Sequence, residues 1–358
     1  MRIAFVHEYL NQFGGAERLL QVLCALFPKA PIYTLFYDKK ATGGVFEGRE
    51  IKTSFLQKAP FINKYHRAFP LLMPLAIEQF DFSDYDLVLS ISSSFAKGII
   101  TKSSTKHICY CLTPPRFLWD DSHKFMDEFS YPNLIKKILP PFITYMRVWD
   151  REAATRVDDF LAISNFVKTR IRKYYLRDAE LIYCPVNTDK FYITDKIDGY
   201  FFMVGRMVSY KRFDLAIKVF NNLGWPLKIA GIGPEFYRLK KISKSNIEFL
   251  GLVSDEKLAG LYSHSQAVIF PQEEDFGIVP LEAMASGRPV IAYHGGGAAE
   301  TIIDGQTGLF FDSQTEESLI EVLNKFKDTK FDSRSCRIQA SKFNIDIFKD
   351  KILNKLSL

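Results

Sequence analysis

The chain has 358 residues, of which 47% are hydrophobic and 25% are charged, a composition typical of a soluble globular protein rather than a disordered one. This length exceeds what one ordinary hydrophobic core spans, so we expect two domains. No segment offers 18 continuous apolar residues, so no transmembrane helix is expected.

The formal net charge of +6 is confined to one half of the chain. Residues 1–187 contain 25 Lys and Arg against 19 Asp and Glu, whereas residues 188–358 contain 22 of each. This asymmetry indicates that the first half binds an anionic partner, such as a membrane or a phosphate-bearing substrate. Neither a dense basic run nor a nucleic-acid motif occurs, so nucleic acid is not an expected partner.

The five cysteines are odd in number and form no C-x-x-C motif. Two thiols that alternate on a strand, Cys109 and Cys111, do not by themselves make a metal site. Reduced, buried thiols in a cytoplasmic protein are the favoured interpretation.

The first half alternates short apolar runs with amphipathic stretches. Strands are predicted at 2–7, 86–93, 107–113, 159–164 and 180–186, and helices at 16–27 and 165–175. Repeated strand, helix, strand order predicts a parallel sheet covered by helices on both faces.

A polar, turn-rich segment at 187–199 is predicted to be a linker, after which the alternation restarts. Strands are predicted at 200–205, 226–231, 246–251, 267–272 and 288–294, and helices at 211–224, 234–242, 255–264 and 280–287. The predicted fold class is therefore α/β, with two successive doubly wound domains. Ligands bind at the carboxyl ends of such strands, and two such domains should leave a cleft between their facing ends.

Two cations follow the first strand of the second half. Arg206 and Lys211 are expected at the strand end and the start of the next helix. Such a pair suits a diphosphate, to which the helix N-terminus adds partial positive charge. A solvated surface pair is the alternative explanation.

The segment EEDFGIVPLEAMASG (273–287) predicts a second group of diphosphate ligands. Pro280 favours the first turn of a helix, so the backbone N–H groups of Gly277, Ile278 and Val279 are free to face phosphate oxygens. Gly277 permits a close approach, and Gly287 fits as the C-terminal stop of the helix.

The acidic residues of this segment are not expected to bind the diphosphate, because carboxylates beside a phosphate would repel it. They are expected to bind another part of the ligand. A carboxylate accepts hydrogen bonds from hydroxyl groups well, and a nucleotide sugar presents hydroxyls on both sides of its diphosphate. We therefore expect Glu274 to bind the sugar and Glu282, within the first turn of the helix, to bind the ribose. The alternative is that Glu282 only complements the helix dipole and Glu274 is solvated.

Four motifs resemble those of the retaining glycosyltransferases of family 4. EDFGIVPLEAMASGRPVIA resembles their E-x7-E signature, and GRMVSYKRFDLAI resembles their diphosphate-binding segment. GGAER resembles their N-terminal glycine loop, and HGGGAAE their later glycine-rich turn. These motifs begin at residues 274, 205, 14 and 294.

The resemblance implies the GT-B fold, in which two Rossmann-like domains flank a cleft. Residues 1–187 would bind the acceptor and 188–343 the donor, and a helix within 344–358 would pack back on the first domain. It also implies transfer with retained anomeric configuration, no metal and no cofactor beyond the nucleotide-sugar substrate. Gly14, Gly15 and Phe276 join the expected donor-binding residues.

Further segments, TPPRFLWD (113–120) and RVWDREAATRVDDFLAIS (147–164), look like the branch often assigned to mannosyl transfer in bacterial O-antigen or exopolysaccharide synthesis. GDP-mannose is the donor this implies, with Arg116 and Trp119 expected on the acceptor or sugar side. The family often carries a histidine where this chain has Leu112. His7 either takes the role of that histidine near the donor sugar or is an ordinary packed residue.

Three alternatives stay open: a UDP-sugar as donor, a nucleotide-sugar epimerase of the same fold, and a non-catalytic nucleotide-sugar-binding module. An epimerase would need an added acid/base pair. The set of Arg206, Lys211, Glu274 and Glu282 argues against a module that only binds.

Basic and aromatic residues are interleaved in two stretches of the first half, 54–75 and 131–147. The first contains no acid, and it combines Lys58, Lys64 and Arg67 with Phe55, Phe61, Tyr65 and Phe69; the second contains Lys136, Lys137 and Arg147. Both stretches predict peripheral contact with the anionic inner face of the cytoplasmic membrane, where a polyprenyl-diphosphate-linked acceptor would be presented. Ordinary core packing of the aromatic residues is the alternative.

Overall fold

The computed structural model describes residues 1–60, 62–65, 70–120, 122 and 133–356, which form two compact units, Met1–Ile182 and Tyr183–Leu358. The predicted boundary between residues 187 and 188 lies close to this division. Segment 187–199, predicted as a linker, belongs to the second unit, where Thr188 and Phe191 are buried.

The first unit contains a parallel sheet of seven strands in the order β3-β2-β1-β4-β5-β6-β7. The strands, β1 to β7, are Ile3–His7, Ile32–Thr34, Ile51–Thr53, Leu87–Ser92, Lys106–Cys111, Asp159–Ala162 and Ala179–Leu181. The helices, α1 to α5, are Gly15–Leu26, Ile62–Tyr65, Leu72–Glu78, Asn133–Thr155 and Asn165–Tyr175.

The second unit contains a parallel sheet of six strands in the order β10-β9-β8-β11-β12-β13. The strands, β8 to β13, are Phe201–Val204, Leu227–Ala230, Ile247–Gly251, Val268–Phe270, Val290–Tyr293 and Gly308–Phe311. The helices, α6 to α13, are Phe213–Leu223, Phe236–Ile242, Asp255–His264, Ile278–Ala285, Ala298–Thr301, Glu316–Asp328, Ser333–Ser341 and Ile345–Lys355.

The prediction of two parallel α/β units is confirmed. The sequence missed β2, β3 and β13, which are only three or four residues long and too short for a clear periodic pattern. The final helix, Ile345–Lys355, is counted within the second unit, and its packing against the first stays a prediction. Among the described residues, no helix combines the length and apolar character needed to cross a bilayer. Membrane contact stays a prediction, and of the residues that motivated it, Phe61, Arg67, Phe69 and the side chains of Lys64, Tyr65, Lys136 and Lys137 lie outside the described part.

A buried ion pair joins α4 to the segment after β4 in the first unit. Lys97 and Asp150 are each about fully buried and paired through Nζ and Oδ1. Lys97 Nζ also donates to Ser94 O at 2.6 Å, and Trp119 Nε1 donates to the second carboxylate oxygen of Asp150 at 2.9 Å. These extra hydrogen bonds are what make burial of two charges tolerable.

We expect Asp150→Ala to lower the free energy of unfolding by about 3–5 kcal/mol, because it leaves the Lys97 ammonium buried without a counter-charge. Urea unfolding of the full chain, followed by circular dichroism, measures this loss. The double variant Lys97→Met/Asp150→Leu should lose less, since no charge stays buried.

Asp346→Ala is the control for this stability prediction, because it removes the partner of an exposed pair with Lys349. It should leave unfolding nearly unchanged. Equal stability of Asp150→Ala and the native chain would contradict the importance of the buried pair.

Candidate active site

Two cationic side chains follow β8 at the carboxyl edge of the second sheet. Arg206 is exposed, and Lys211 ends a 3₁₀ turn, Ser209–Lys211. Arg212 then adopts a left-handed conformation, with φ of 51°, immediately before α6. Both cations therefore lie after the strand, as predicted, although Lys211 precedes the helix rather than opening it.

The backbone around Arg206 is fixed by the loop after β9. The Met207 N–H donates to Ile232 O at 2.9 Å, and the Glu235 N–H donates to Met207 O at 3.1 Å. Gly233 permits this approach, because a Cβ atom there would overlap the backbone of Met207.

An ion pair connects Lys211 to the acid-rich segment after β11. Lys211 Nζ lies 2.8 Å from Glu274 Oε1, which also accepts a hydrogen bond of 3.2 Å from Gln272 Nε2. Burial acts to lower the pKa of Lys211, but the neighbouring Glu274 carboxylate outweighs it and holds the pKa above its ordinary value. Lys211 is therefore a cation at neutral pH.

Helix α9, Ile278–Ala285, begins beside this ion pair. Its N-cap, Gly277, has φ of 86°, a conformation that favours glycine, and Gly287 has φ of 73° just beyond its end. The first-turn N–H groups after Gly277 are the candidate ligands for an anion.

The predicted position of Glu282 needs a correction. The helix was expected to begin at Pro280, but it begins at Ile278, so Glu282 is its fifth residue and lies in the second turn. Proline favours the first turn generally and does not have to be its first residue.

Glu282 is 8% exposed, and its Oε2 accepts a hydrogen bond of 2.7 Å from the hydroxyl of Tyr262, which is fully buried. Tyr262 thereby orients the Glu282 carboxylate.

The glycine-rich turn after β12 supports the backbone of Glu274. The Gly297 N–H donates to Glu274 O at 2.9 Å. A Cβ atom on Gly297 would overlap the backbone of Phe276, and one on Gly296 would overlap Glu274 O. Glycine is required here so that the turn can lie directly against the acid-rich segment.

The ring of Phe276 packs against other aromatic side chains. It is 4% exposed and stacks on Tyr183, with ring centroids 5.8 Å apart. Phe343 contacts both rings. Phe276 can therefore serve a donor only through its backbone.

His7 and the glycine loop lie at the carboxyl end of β1 in the first unit. His7 is buried, and its Nε2 lies 3.9 Å from Glu17 Oε1. The other carboxylate oxygen of Glu17 accepts the Gly14 N–H at 2.7 Å, and Gly15 begins α1. His7 is thus a packed residue beside the loop, and its part in sugar binding stays a prediction.

Glu8, next to His7, fills a group of backbone donors after β4. Its carboxylate accepts the N–H groups of Ser93 and Phe95 at 2.7 and 2.9 Å, and the N–H of Ser94 as well. Consecutive N–H groups of this kind form an anion-binding concavity, and here the protein's own carboxylate occupies it.

Trp119 and Arg116 belong to the segment after β5. The Trp119 indole donates to buried Asp150 and stacks on Tyr174 with centroids 4.8 Å apart. The Arg116 guanidinium lies 5.9 Å from the Phe166 ring. Trp119 therefore anchors the segment, and acceptor binding by Trp119 or Arg116 stays a prediction.

Leu112, where the resemblance predicts a histidine, donates its N–H to Ser92 O at 2.8 Å. In the part of the chain that the structure describes, no group of three or more His, Cys, Asp or Glu side chains is arranged to hold a metal ion.

Residues 188–343 match the family model described as Glycosyl transferases group 1. This domain of the chain is therefore similar to group 1 glycosyltransferases. This domain contains both cations, both glutamates and the N-terminus of α9. The prediction of a glycosyltransferase is therefore confirmed at that level.

Two relatives of this chain are named for mannosyl transfer. The alpha-1,3/1,6-mannosyltransferase ALG2 of Dictyostelium discoideum is 26% identical over an alignment of 424 residues, which covers 98% of this chain and 95% of that protein. The O-antigen chain mannosyltransferase RfbU of Salmonella typhimurium is 33% identical over 178 residues, which cover 46% of this chain and 48% of that protein.

The crystal structure of HepE from Anabaena, in complex with UDP, matches the whole fold. The match covers 100% of both chains with a TM-score of 0.73 at 16% identity. The chain has the GT-B fold, as predicted.

The sequence predicted roles for Arg206, Lys211, Glu274 and Glu282 but did not indicate the side chains that contact the two glutamates. Gln272 could have been found, because it is a polar residue between the strand end and Glu274. Tyr262 could not, since it lies in α8, twenty residues from Glu282, where only the fold brings the two together.

We expect Gly297→Ala to weaken binding of a nucleoside diphosphate by the protein at least tenfold, since the new methyl group would displace the backbone at Phe276 and with it Glu274. Calorimetry with GDP and with UDP measures the loss.

Gly260→Ala is the matched control for Gly297→Ala. Gly260 lies in α8, where a Cβ atom would meet only the Tyr192 hydroxyl at 3.5 Å. Gly297 has φ of −68°, so backbone strain does not contribute to the expected difference. Native affinity in Gly297→Ala would show that the glycine turn does not support the site.

Proposed function

We propose that the protein is a retaining glycosyltransferase of family 4 that transfers mannose from GDP-mannose to a hydroxyl of a glycan or polyprenyl-diphosphate-linked acceptor. The acceptor belongs to bacterial cell-surface polysaccharide synthesis, at the inner face of the cytoplasmic membrane. No metal and no cofactor are required, and the donor is the only nucleotide.

One observation carries the proposal: Lys211 and Glu274 form an ion pair beside the N-terminus of α9, with exposed Arg206 on the same strand loop. A nucleotide sugar offers a diphosphate for the cations and hydroxyls for the carboxylate.

The diphosphate binds between Arg206, Lys211 and the N–H groups of Gly277, Ile278 and Val279. Two cations and a helix N-terminus supply the charge that a divalent metal supplies in other sites. Removing one preorganised donor of this kind typically costs about 10²–10³ in rate.

Lys211 also makes the position of Glu274 possible. A carboxylate next to a diphosphate would repel it, but the ammonium 2.8 Å away offsets that repulsion. Glu274 then accepts hydrogen bonds from sugar hydroxyls and orients the reacting carbon.

Transfer breaks the bond between the anomeric carbon and the diphosphate oxygen and forms one to the acceptor oxygen on the same face. The acceptor proton passes to the departing diphosphate, so no separate side-chain base is needed. Negative charge grows on the diphosphate during this step, where Arg206, Lys211 and the helix N–H groups stabilise it.

Mannose as the sugar is supported by the names of the two relatives, one from a eukaryote and one from bacterial O-antigen synthesis. UDP appears in the solved structure of the Anabaena protein, so a UDP-sugar is the donor to test against GDP-mannose.

Substitution of each of the two glutamates should affect a different step. Glu282→Ala should weaken binding of free GDP, because the ribose loses its acceptor. Glu274→Ala should leave GDP affinity within about threefold and reduce transfer by roughly 10²-fold or more. Calorimetry and initial rates measure the two quantities.

Glu321→Ala, in α11 and exposed, is the control and should change neither quantity. The reverse pattern, with Glu274→Ala losing GDP affinity and Glu282→Ala keeping it, would exchange the two assignments.

A thermal-shift panel of GDP-, UDP-, ADP- and dTDP-sugars should select GDP-mannose. Ligand at 100 times its dissociation constant stabilises the folded chain by about 2.7 kcal/mol. Transfer from the selected donor should continue in EDTA, because the cations of the site neutralise the diphosphate. Strict dependence on added Mg²⁺ or Mn²⁺ would contradict the metal-free proposal, and selection of a UDP-sugar would replace GDP-mannose.

A further inference from the structure

An open cleft with a volume of about 390 Å³ lies at the amino edge of the second sheet. Gly199, Gln266 and Pro289 line it, and each lies one or two residues before a strand, β8, β11 and β12 respectively. The candidate active site follows those same strands. The two sites therefore lie at opposite edges of one sheet, separated by strands of three or four residues, about 10–13 Å long.

The side chain of Arg288 lines this cleft and is only 3% exposed. Its Nε donates to Ser263 O at 2.7 Å, and its Nη2 donates to Thr194 O. The remaining nitrogen, Nη1, has no hydrogen-bond partner among the residues that the structure describes. Both partners of the guanidinium are neutral carbonyl groups, so its charge is hydrogen-bonded but not balanced.

No carboxylate compensates the charge of Arg288. In the described part of the second unit, none of the ion pairs includes this residue. Asp195 acts on it electrostatically but is exposed and forms no ion pair with it. Burial lowers the pKa of Arg288, yet a guanidinium stays protonated at neutral pH. A buried cation without a counter-ion is unfavourable, and a bound anion would relieve it.

Two further polar groups lie in the cleft beside Arg288. A Cβ atom on the adjacent Gly287 would lie 2.9 Å from the Ser333 Cβ, so Ser333 is next to the backbone of Arg288. Gln266 Nε2 donates to Gly199 O at 2.5 Å. The Ser333 hydroxyl and Gln266 Oε1 have no hydrogen-bond partner within the described chain. A ligand in the cleft therefore meets an unused hydroxyl as well as the unused guanidinium nitrogen.

The N-terminus of α12, Ser333–Ser341, is not itself the anion site. Asp332 caps this helix, and its carboxylate accepts the N–H groups of Arg334 and Ser335 at 3.3 and 2.8 Å. It also accepts the Ser335 hydroxyl at 2.7 Å. These donors are already used, so the cation that distinguishes the cleft is Arg288.

The rest of the cleft is mainly apolar. Phe326 and Phe331 line it and are half-buried, and their rings stack with centroids 5.6 Å apart and an angle of 20° between the planes. Ile197, which is 50% exposed, and Pro289 also line it. An apolar group placed here would remove these surfaces from water. An apolar lining with a few polar groups is the usual composition of a small-molecule site.

We propose that this cleft binds a small organic anion, a carboxylate or phosphate group attached to an apolar ring or short chain. Arg288 Nη1 and the Ser333 hydroxyl bind the anionic group, because a guanidinium forms charge-assisted hydrogen bonds with either anion. Phe326, Phe331 and Pro289 contact the apolar part. The inference does not depend on the proposed function, since neither the cations nor the glutamates of the candidate active site line the cleft.

Calorimetry of the full chain with four probes tests this ligand chemistry. Phenyl phosphate or benzoate should bind with a dissociation constant of about 1 mM or below, and the tighter of the two identifies the anionic group. Inorganic phosphate lacks the ring and phenol lacks the charge, so each should bind at least about tenfold more weakly. The proposal would be overturned if neither phenyl phosphate nor benzoate bound at about 10 mM, or if inorganic phosphate or phenol bound as tightly as they do.

Arg288→Met should weaken binding of the tighter probe at least about tenfold, because the charge-assisted hydrogen bond is lost. Arg288→Lys keeps the charge and should lose less. Arg337→Met is the matched control: Arg337 also donates to main-chain carbonyls, those of Phe191 and Ala285, but does not line the cleft. It should bind the probe as the native chain does. Equal losses in Arg288→Met and Arg337→Met would contradict the assignment.

Ser333→Glu tests the same site if Arg288→Met does not fold. An acid is favourable in the first turn of a helix, so the fold should be kept, while the new carboxylate repels an anion in the cleft. Binding should fall at least about tenfold. Ser318→Glu, at a half-buried serine in the first turn of α11, is the control and should not change binding. Native affinity in Ser333→Glu would overturn the proposal.

The probes are anions, so the candidate active site is the competing place for them. Arg206→Ala/Lys211→Ala should keep the probe affinity, and Arg288→Met should keep the affinity for GDP. Loss of probe binding in Arg206→Ala/Lys211→Ala would assign the probe to the candidate active site and overturn the proposal. Probe binding without sugar transfer from any donor would refute only the proposed function, and transfer without probe binding would refute only the anion cleft.

Discussion

The ion pair between Lys211 and Glu274 is the interaction on which the rest of the candidate site depends. Each side chain is mostly buried, so each charge has lost much of its water and is stabilised chiefly by the other. The pair allows a carboxylate to lie beside the place where an anionic diphosphate would bind. Without Lys211, the same carboxylate would oppose the ligand that the helix N-terminus attracts.

The pair can form only because several loops of the second unit approach one another closely. The loop after β9 fixes Met207, next to Arg206, and the turn after β12 fixes the backbone of Glu274. Both contacts are backbone to backbone, and both pass through positions where a side chain would collide, Gly233 and Gly297. Glycine at these positions therefore serves close approach, and backbone hydrogen bonds hold the loops of the candidate site in place.

The first unit uses charge differently from the second. Lys97, Asp150 and Glu8 are buried and satisfied by one another or by backbone groups, so their charges fix the ends of strands and the segment that includes Trp119. Arg206, in contrast, is exposed at the carboxyl edge of the second sheet. This difference is consistent with donor chemistry in the second unit and a structural role for the buried charges of the first.

The sequence by itself determined the α/β class, the two units and most elements, because a parallel sheet buries its strands as short apolar runs between amphipathic helices. Helices Asn165–Tyr175 and Asp255–His264 have the bounds that the pattern predicted. Local motifs also placed Arg206, Lys211 and Glu274 in loops after parallel strands, which meet at one edge of the sheet.

Only the tertiary structure decided what contacts what. The bond from Tyr262 to Glu282 and the support of Glu274 by Gly297 join residues twenty or more positions apart, and periodicity contains no information on such pairs. The sequence also did not determine which side chains are buried. In the structure the Trp119 indole donates to buried Asp150, whereas Leu71 and Leu75 are exposed. An apolar residue in a helix can face either way, and the choice depends on which neighbouring element packs against that helix.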